Sequence, residues 1–317
     1  MPEFSVVLTS VLTMIVLLVP GVIFERFRLV PQDFTKGLTN FTLYIAQPFM
    51  IINAFLRVFD KEILLNLGTE LLLGVVGYAA AFIVICLMFN KMPEAKKGVL
   101  KFMMLFTNAG FMGLPVLKSI FGAQGDIAVL YATGVIVCHN VLTWTLGVRM
   151  LTPKGEKGGV RKVLLNPGVI ACAIGILLFV TSAADYMPQF ALDVTQLLAG
   201  TVTPLAMYIV GAHLAHFDFR SIFRSWQLLV AVGMRLFVLP CVIFFCYFLL
   251  RLTGILPQEN MLIAVPFLQL CMPSASVTTM MAQRYGGDAA YASAGVSIST
   301  LLSILSIPVM SLLLSLL

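Results

Sequence analysis

Two apolar segments of the chain are interrupted by polar, glycine and proline residues. The interruptions read FTNAGFMGLP at 106–115 and CMPSAS at 271–276. Their candidate site residues are Asn108, Gly110, Gly113, Pro115, Pro273, Ser274 and Ser276. Glycine and proline weaken the helical hydrogen-bond ladder, and a bilayer core offers no water to the freed backbone groups. Broken helices of this kind therefore indicate backbone that is buried in protein or lines a wet cavity.

The chemistry that such breaks offer is anion binding. If the two breaks meet, the half-helices that follow them point their partial positive charges at one place. Asn108, Ser274 and Ser276 would then add directional hydrogen bonds. The alternative is that Gly110 and Gly113 only allow close helix packing and that Pro115 only kinks the helix. Matched breaks in two halves of a chain favour the anion site, because this arrangement is typical of secondary transporters.

Arg235 is a basic residue deep within a predicted apolar span, in the run VGMRLF. An intramembrane charge is costly and usually faces the protein interior. Arg235 either holds the anion directly or bonds the carbonyl groups that the helix breaks leave free, and the second role is favoured. Pro48, inside another apolar stretch, is also predicted to support the site structurally.

Other polar side chains lie within apolar stretches. Gln47 precedes Pro48, and Gln269 precedes the second break. Each either faces the same cavity as the breaks or bonds a neighbouring helix. His139 is interpreted as a packing residue with satisfied hydrogen bonds, and Asn140, which follows it, is predicted to contact the substrate.

The acidic residues are predicted to avoid the span centres. Asp126, Asp193, Glu259 and Asp288, for example, fall close to predicted span ends. Carriers that are driven by protons or sodium often place Asp or Glu at the coupling site, so ion coupling is disfavoured. Sodium held by backbone carbonyls and hydroxyls remains the alternative. A membrane-embedded enzyme is disfavoured too, because no cluster of base, nucleophile or metal ligands is visible, and no cofactor or metal is expected.

Composition sets the protein class. Of the 317 residues 60% are hydrophobic and 11% are charged, whereas soluble domains carry about 25% charged residues. The chain is therefore predicted to be an all-α, polytopic membrane protein. Its net charge of +6 comes from residues between the apolar spans, so a nucleic-acid partner is excluded. The six cysteines lie within predicted spans without a CxxC pair, which indicates buried apolar residues rather than disulfides or a metal site.

About ten apolar stretches are long enough to cross a bilayer as helices of ~20 residues. They are predicted at 4–24, 34–56, 67–89, 98–121, 126–150, 165–184, 190–213, 226–250, 258–283 and 290–316. The first stretch is predicted to be a retained span rather than a cleaved signal peptide, because no basic residue precedes Arg26. A polar connection at 152–164 separates a first five-helix repeat, 1–151, from a second, 165–317. With five spans each, the second repeat enters the membrane inverted.

The distribution of basic residues predicts the orientation. Fifteen of the 20 Lys and Arg residues fall in loops on one side of the predicted spans, and four, Arg57, Lys61, Lys118 and Arg251, fall on the other. Cytoplasmic loops carry the excess of basic residues. The connection at 152–164 is therefore predicted to be cytoplasmic, and both termini extracytoplasmic.

The run NAGFMGLPVLK at 108–118 closely resembles the fourth helix of the auxin efflux carrier family, which includes plant PIN auxin carriers and bacterial malonate carriers. The likeness extends to YIAQP at 44–48, to Arg235-Leu236 with Pro240, and to Met272-Pro273 with Tyr285-Gly286. It implies ten transmembrane helices in two inverted five-helix repeats, with broken helices 4 and 9 crossing at Pro115 and Pro273. It also implies that Asn108 contacts a substrate carboxylate, and that a homodimer forms in which helices 1, 2, 6 and 7 are a scaffold for a transport domain of helices 3–5 and 8–10.

Two differences from the plant carriers narrow the expected substrate. The chain has no long cytoplasmic loop, and its third span, at 71–89, has no Asp or Lys for their polar support site. A bacterial-type carrier of small organic anions, auxin- or malonate-like carboxylates, is therefore expected, working by elevator-type alternating access in the cytoplasmic membrane. A sodium- or proton-coupled symporter or antiporter of the same architecture is the alternative, and a receptor or channel is a further one.

Overall fold

The computed structural model describes residues 4–31, 33–57, 59–88, 94–152, 165–215, 225–254, 256 and 259–316. These residues form helices, and the β-type pairing found among them is one isolated antiparallel bridge between Thr107 and Ser274. The predicted linker at 152–164 lies outside the described residues except for Thr152. The all-α class is therefore confirmed.

The helices follow the predicted apolar stretches closely. In the first half they are α1 (Phe4–Arg26), α2 (Phe34–Phe41), α3 (Gln47–Phe55), α4 (Lys61–Cys86), α5 (Glu94–Leu105), α6 (Leu114–Phe121), α7 (Gly125–Leu142) and α8 (Val148–Leu151). In the second half they are α9 (Pro167–Val180), α10 (Gln189–Ala215), α11 (Trp226–Gly233), α12 (Leu239–Leu252), α13 (Asn260–Leu270), α14 (Val277–Tyr285) and α15 (Ala289–Ser311). Five-residue π-helical turns, Thr42–Ala46, Thr143–Gly147 and Met234–Val238, join α2 to α3, α7 to α8 and α11 to α12.

Six continuous helical stretches are long and apolar enough to cross a membrane. They are Phe4–Arg26, Lys61–Cys86, Ala109–Leu151, Gln189–Ala215, Trp226–Leu252 and Ala289–Leu314. Their outer faces expose large apolar side chains such as Val16, Ile83 and Leu305. Such faces suit a lipid environment, so the protein is a multi-pass integral membrane protein.

Short polar side chains define several helix starts. Asp60 accepts a hydrogen bond from the Glu62 N–H and thereby caps α4, while Asn166 caps α9 by accepting from the Gly168 N–H. Asp288 caps α15 in the same way. An N-cap acceptor satisfies one of the backbone donors that a helix start leaves free.

The start of α4 corrects one expectation about the acidic residues. The span was predicted from residue 67, but the helix begins at Lys61. Glu70 therefore lies nine residues into the helix, about 14 Å from its start, and its side chain is 0% exposed. The predicted start of this span was wrong because the first turns of α4 are polar. They lower the hydropathy of a segment that is nevertheless helical.

The helices pack in two sets. The first contains α1, α2, α3, α9 and α10, in which α10 packs along α1 and α3, and α9 packs along α3. At Gly21 of α1 and Gly211 of α10 a Cβ atom would overlap the backbone of the facing helix, so these glycines permit the close approach. The second set packs α4 against α5, α7, α12 and α13, α6 against α7, and α14 against α15.

Candidate substrate site at the crossing of two broken helices

Two short non-helical segments cross at the point where the broken helices meet. The Asn108 N–H donates to the Pro273 carbonyl oxygen across 2.8 Å, and the Ala275 N–H donates to the Phe106 carbonyl oxygen across 2.9 Å. The segment between α5 and α6 thus pairs antiparallel with the segment between α13 and α14. Each break supplies partners for backbone groups that the other leaves free, which allows non-helical backbone to persist at membrane depth.

The side chains of Asn108 and Ser276 meet on one side of the crossing. Asn108 Nδ2 donates to Ser276 Oγ across 3.0 Å. The Asn108 carbonyl oxygen accepts from the N–H groups of Met112 and Gly113 at 3.1 and 2.9 Å, and this starts the π-helical turn Ala109–Gly113 that leads into α6. The turn fixes the position of Asn108, so its amide is held beside Ser276.

A cavity of about 400 Å³ adjoins this pair of side chains. Its walls come from the crossing, from α7, from the Thr42–Ala46 turn and from the start of α9. Among its lining residues are Tyr44, Gln47, Thr107, Asn108, Gly110, His139, Asn140, Thr143, Asn166, Ser276 and Arg284. The lining is mainly apolar with a few convergent polar groups, which is the usual composition of small-molecule sites.

The structure brings five of the nine sequence-predicted substrate-contact residues to this cavity. They are Gln47, Asn108, Gly110, Asn140 and Ser276. The other four are buried and do not line it: Gly113, Pro115, Pro273 and Ser274. Ser274, for instance, donates its N–H to Ser299 Oγ across 3.2 Å. Pro48 and Gln269 also do not line the cavity.

His139 both borders the cavity and has a hydrogen-bond partner. Its Nδ1 lies 2.8 Å from the Tyr78 hydroxyl, and its ring stands edge-on to Phe106 at 5.6 Å between centroids. Tyr78 comes from α4 and was not a sequence candidate. It links α4 to α7 directly behind the cavity wall.

Arg235 is fully buried and does not line the cavity. Its Nη2 donates to the carbonyl oxygens of Leu270 and Met272 at 2.6 and 2.8 Å, and its Nη1 donates to the Met104 carbonyl oxygen at 3.3 Å. These carbonyls belong to the carboxyl ends of α5 and α13 and to the second break. A cation at such helix ends is electrostatically favourable.

Arg284 is a cavity residue that sequence reasoning missed. It directly follows the predicted span at 258–283 and was counted with the loops and their flanks, but it lies in the last turn of α14, exposed and at the edge of the cavity. The lining residues of α14 are Val277, Met280, Met281 and Arg284. Met280, Met281 and Arg284 follow Val277 by three, four and seven residues, which places all four on one helix face. This periodicity was the signal available in the sequence.

Comparison with known proteins places the chain in a family. The family model described as "Membrane transport protein" matches residues 6–311. An uncharacterized transporter of Methanocaldococcus jannaschii is 26% identical over 306 residues, covering 94% of this chain and 95% of the relative. An uncharacterized transporter of Methanothermobacter thermautotrophicus is 24% identical over 315 residues, covering 95% and 96%. The chain therefore belongs to the membrane transport protein family, the family of the auxin efflux carriers that its broken helices resemble, and is a membrane transporter.

Proposed function

We propose that the protein is a secondary carrier of small organic anions, with the substrate carboxylate bound at the crossing. The observation that carries this proposal is the arrangement of charge about the two breaks. Arg235 occupies the carboxyl ends of α5 and α13, while the cavity lies beside Asn108, Ser276 and the start of α14. The amino ends of half-helices therefore border the cavity, and they attract an anion without an opposing side-chain charge.

The size and polarity of the cavity support a small carboxylate. A volume of about 400 Å³ lies at the lower end of the range for small-molecule sites. The side-chain amides of Asn108, Asn140 and Gln47 supply N–H groups that can donate hydrogen bonds to carboxylate oxygens. A hydrogen bond to a charged group contributes more than one between neutral groups, by a factor of about two.

An elevator motion of two inverted five-helix repeats is proposed for alternating access. The two breaks, each followed by a helix of eight or nine residues, α6 and α14, support the repeat. Gln47 and Asn166 come from the helix set of α1–α3, α9 and α10, whereas Asn108 and Ser276 come from the other set. A site between two packed sets can change its access when one set slides against the other. We assign the scaffold role, and the contact in a homodimer, to the set that contains α1 and α10.

The cavity is proposed to face the cytoplasm. Its rim includes Arg284 and residues 165–168, which directly follow the connection that the basic-residue distribution assigns to the cytoplasmic side. Both termini are then extracytoplasmic, and the conformation is the inward-facing one.

Thermal-shift measurements on purified protein test the substrate class. A panel of mono- and dicarboxylates is compared with the corresponding neutral amides, with and without sodium. Since a ligand that binds the folded state raises Tm in a concentration-dependent way, we expect a shift from at least one carboxylate and none from its amide. Equal shifts from an acid and its amide would contradict an anion site at the crossing.

Ion-coupled transport is the second candidate, and one observation favours it. Glu70 is a fully buried acidic residue within the helix set that carries the crossing. Intramembrane carboxyl groups commonly serve as coupling sites in carriers.

A further inference from the structure

Glu70 carries a buried carboxyl group that has no hydrogen-bond partner in the described part of the chain. Its side chain is 0% exposed, and neither Oε1 nor Oε2 has a hydrogen-bond partner among the described residues. Burying an ionised carboxylate without compensation is far more costly than burying a neutral group. The arrangement therefore requires either a proton on Glu70 or a cation beside it.

The neighbouring helices hold α4 around Glu70, although no described residue forms a hydrogen bond with its carboxyl group. Asn66 Nδ2 donates to the Tyr131 hydroxyl at 3.1 Å, and the Tyr247 hydroxyl donates to the Leu73 carbonyl oxygen at 2.7 Å. Cys138 Sγ donates to the Leu71 carbonyl oxygen at 3.5 Å. These bonds come from α7 and α12 and fix the turns on both sides of Glu70.

The tight packing at Glu70 favours a proton over a metal cation. Gly134 of α7 lies directly against it, so that a Cβ atom at residue 134 would be 2.9 Å from Glu70 Cβ and 2.8 Å from the Leu71 nitrogen. Glu70 lines neither the substrate cavity nor a second cavity of about 420 Å³ that Glu259 lines. A cation needs several oxygen ligands around it, whereas a proton needs no additional space.

In the described part of the chain, the charge that acts on the Glu70 carboxyl group is that of Glu259, which is negative and does not compensate it. The titratable groups near Glu70 are Tyr131 and Cys138 on α7, Tyr247 on α12, and Glu259 at the start of α13. α5 also packs against α4 and carries Lys97 and Lys101. It follows α4 in the chain after Cys86, whereas Glu70 lies in the first half of α4. Glu259 is exposed and lines the second cavity, which offers water to a departing proton.

We propose that Glu70 is a proton-binding site that couples proton movement to anion transport. Its carboxyl group is protonated in the conformation described here, and it releases that proton to water on the Glu259 side when the helices rearrange. The O–H bond breaks, the electron pair stays on the carboxylate, and the proton passes to water. The coupling, but not the proton site itself, rests on the proposed carrier function.

A short structural path joins Glu70 to the substrate cavity. Gly134, against Glu70, precedes the cavity residues His139 and Asn140 by five and six positions on α7. This separation is about 7.5–9 Å along a helix axis. An ionised Glu70 side chain is unfavourable in its water-free position against Gly134. Ionisation therefore shifts the packing between α4 and α7 and, with it, the wall of the cavity.

Labelling with dicyclohexylcarbodiimide, which adds to protonated carboxyl groups in apolar surroundings, tests the proton site in the purified full-length protein. Peptide mass spectrometry should find Glu70 modified at neutral pH, with at least a tenfold lower yield at strongly alkaline pH and no difference between sodium and choline chloride. Glu62 carries an exposed carboxyl group on the same helix, and the control variant Glu62→Gln should leave the labelling of Glu70 unchanged. Protection of Glu70 by sodium, or an unlabelled Glu70 at every pH, would overturn the proposal.

The coupling is tested separately in proteoliposomes, using a carboxylate that shifts Tm. Glu70→Gln mimics the protonated state in shape and polarity and should still bind the carboxylate. Its uptake should lose the stimulation by a pH gradient that the wild type and Glu62→Gln retain. The same gradient dependence in wild type and Glu70→Gln would overturn the coupling and leave the carrier function standing. If no carboxylate binds, carbodiimide labelling still decides the proton site.

Discussion

The backbone N–H of Asn108 donates a hydrogen bond to the carbonyl oxygen of Pro273 across 2.8 Å. Residues 165 positions apart in sequence thereby join the two helix breaks into one structure. At this junction the Asn108 side chain bonds Ser276 beside the cavity, whereas Arg235 bonds carbonyl groups at the helix carboxyl ends and does not line the cavity. The substrate site proposed here depends on this junction.

Asn108→Ala should weaken carboxylate binding while the protein still folds. One hydrogen bond to a charged group contributes about 1.5–3 kcal/mol, so affinity should fall by about 10- to 150-fold. Asn40→Ala removes an exposed amide of α2 outside the cavity and serves as the matched control. Titration calorimetry on monodisperse protein measures both, and an unchanged Kd for Asn108→Ala would move the site elsewhere.

Arg235→Gln should lower stability rather than affinity. The guanidinium group bonds the Leu270, Met272 and Met104 carbonyl oxygens, and its loss leaves buried acceptors unpaired. We expect a loss of about 3 kcal/mol or more, with Kd within a few-fold of wild type for the protein that folds.

Arg251→Gln, at the end of α12, is the control for Arg235→Gln. It should change Tm little, because the hydrogen bonds of Arg251 to the described residue Asn260 are long, at 3.5 Å. Melting temperature and Kd are measured on the same samples. A stable Arg235→Gln protein that binds no anion would refute the view that helix ends, rather than a direct ion pair, stabilise the substrate.

Arg284→Gln should weaken anion binding modestly and in a salt-dependent way. Arg284 is exposed at the cavity edge, and exposed charge pairs contribute about 0–1 kcal/mol. Affinity should therefore fall by no more than about fivefold at low salt, and the difference should shrink at high salt because mobile ions screen exposed charges. Arg149→Gln, an exposed arginine of α8 that does not line the cavity, should match wild type at both salt concentrations.

The orientation is tested by labelling single cysteines in a cysteine-free background. Glu156→Cys lies in the predicted cytoplasmic connection, and an impermeant maleimide should not reach it from outside intact cells. Tyr186→Cys, at a position that is 85% exposed between α9 and α10, should be labelled from outside. The reverse pattern would contradict both the orientation and the inward-facing assignment of the cavity.

Sequence alone determined the protein class, the approximate helix positions and the two breaks. Hydropathy is a sum over local residues, and in a membrane each helix must satisfy its own backbone, so the apolar stretches and their Gly and Pro interruptions could be located without tertiary information. The family followed from the same segments, because NAGFMGLP at the first break is both a structural signal and a family motif.

Tertiary structure decided which groups share a surface. Asn108 and Ser276 were expected together and meet, but Ser274, two residues away, points elsewhere and its N–H bonds Ser299. The burial of Glu70 depends on α7 packing against a polar turn of α4, and the role of Arg235 depends on three carbonyl groups from distant segments. Periodicity fixes where a side chain lies on its own helix, whereas its partners are set by how the helices cross, and that information is not local in the sequence.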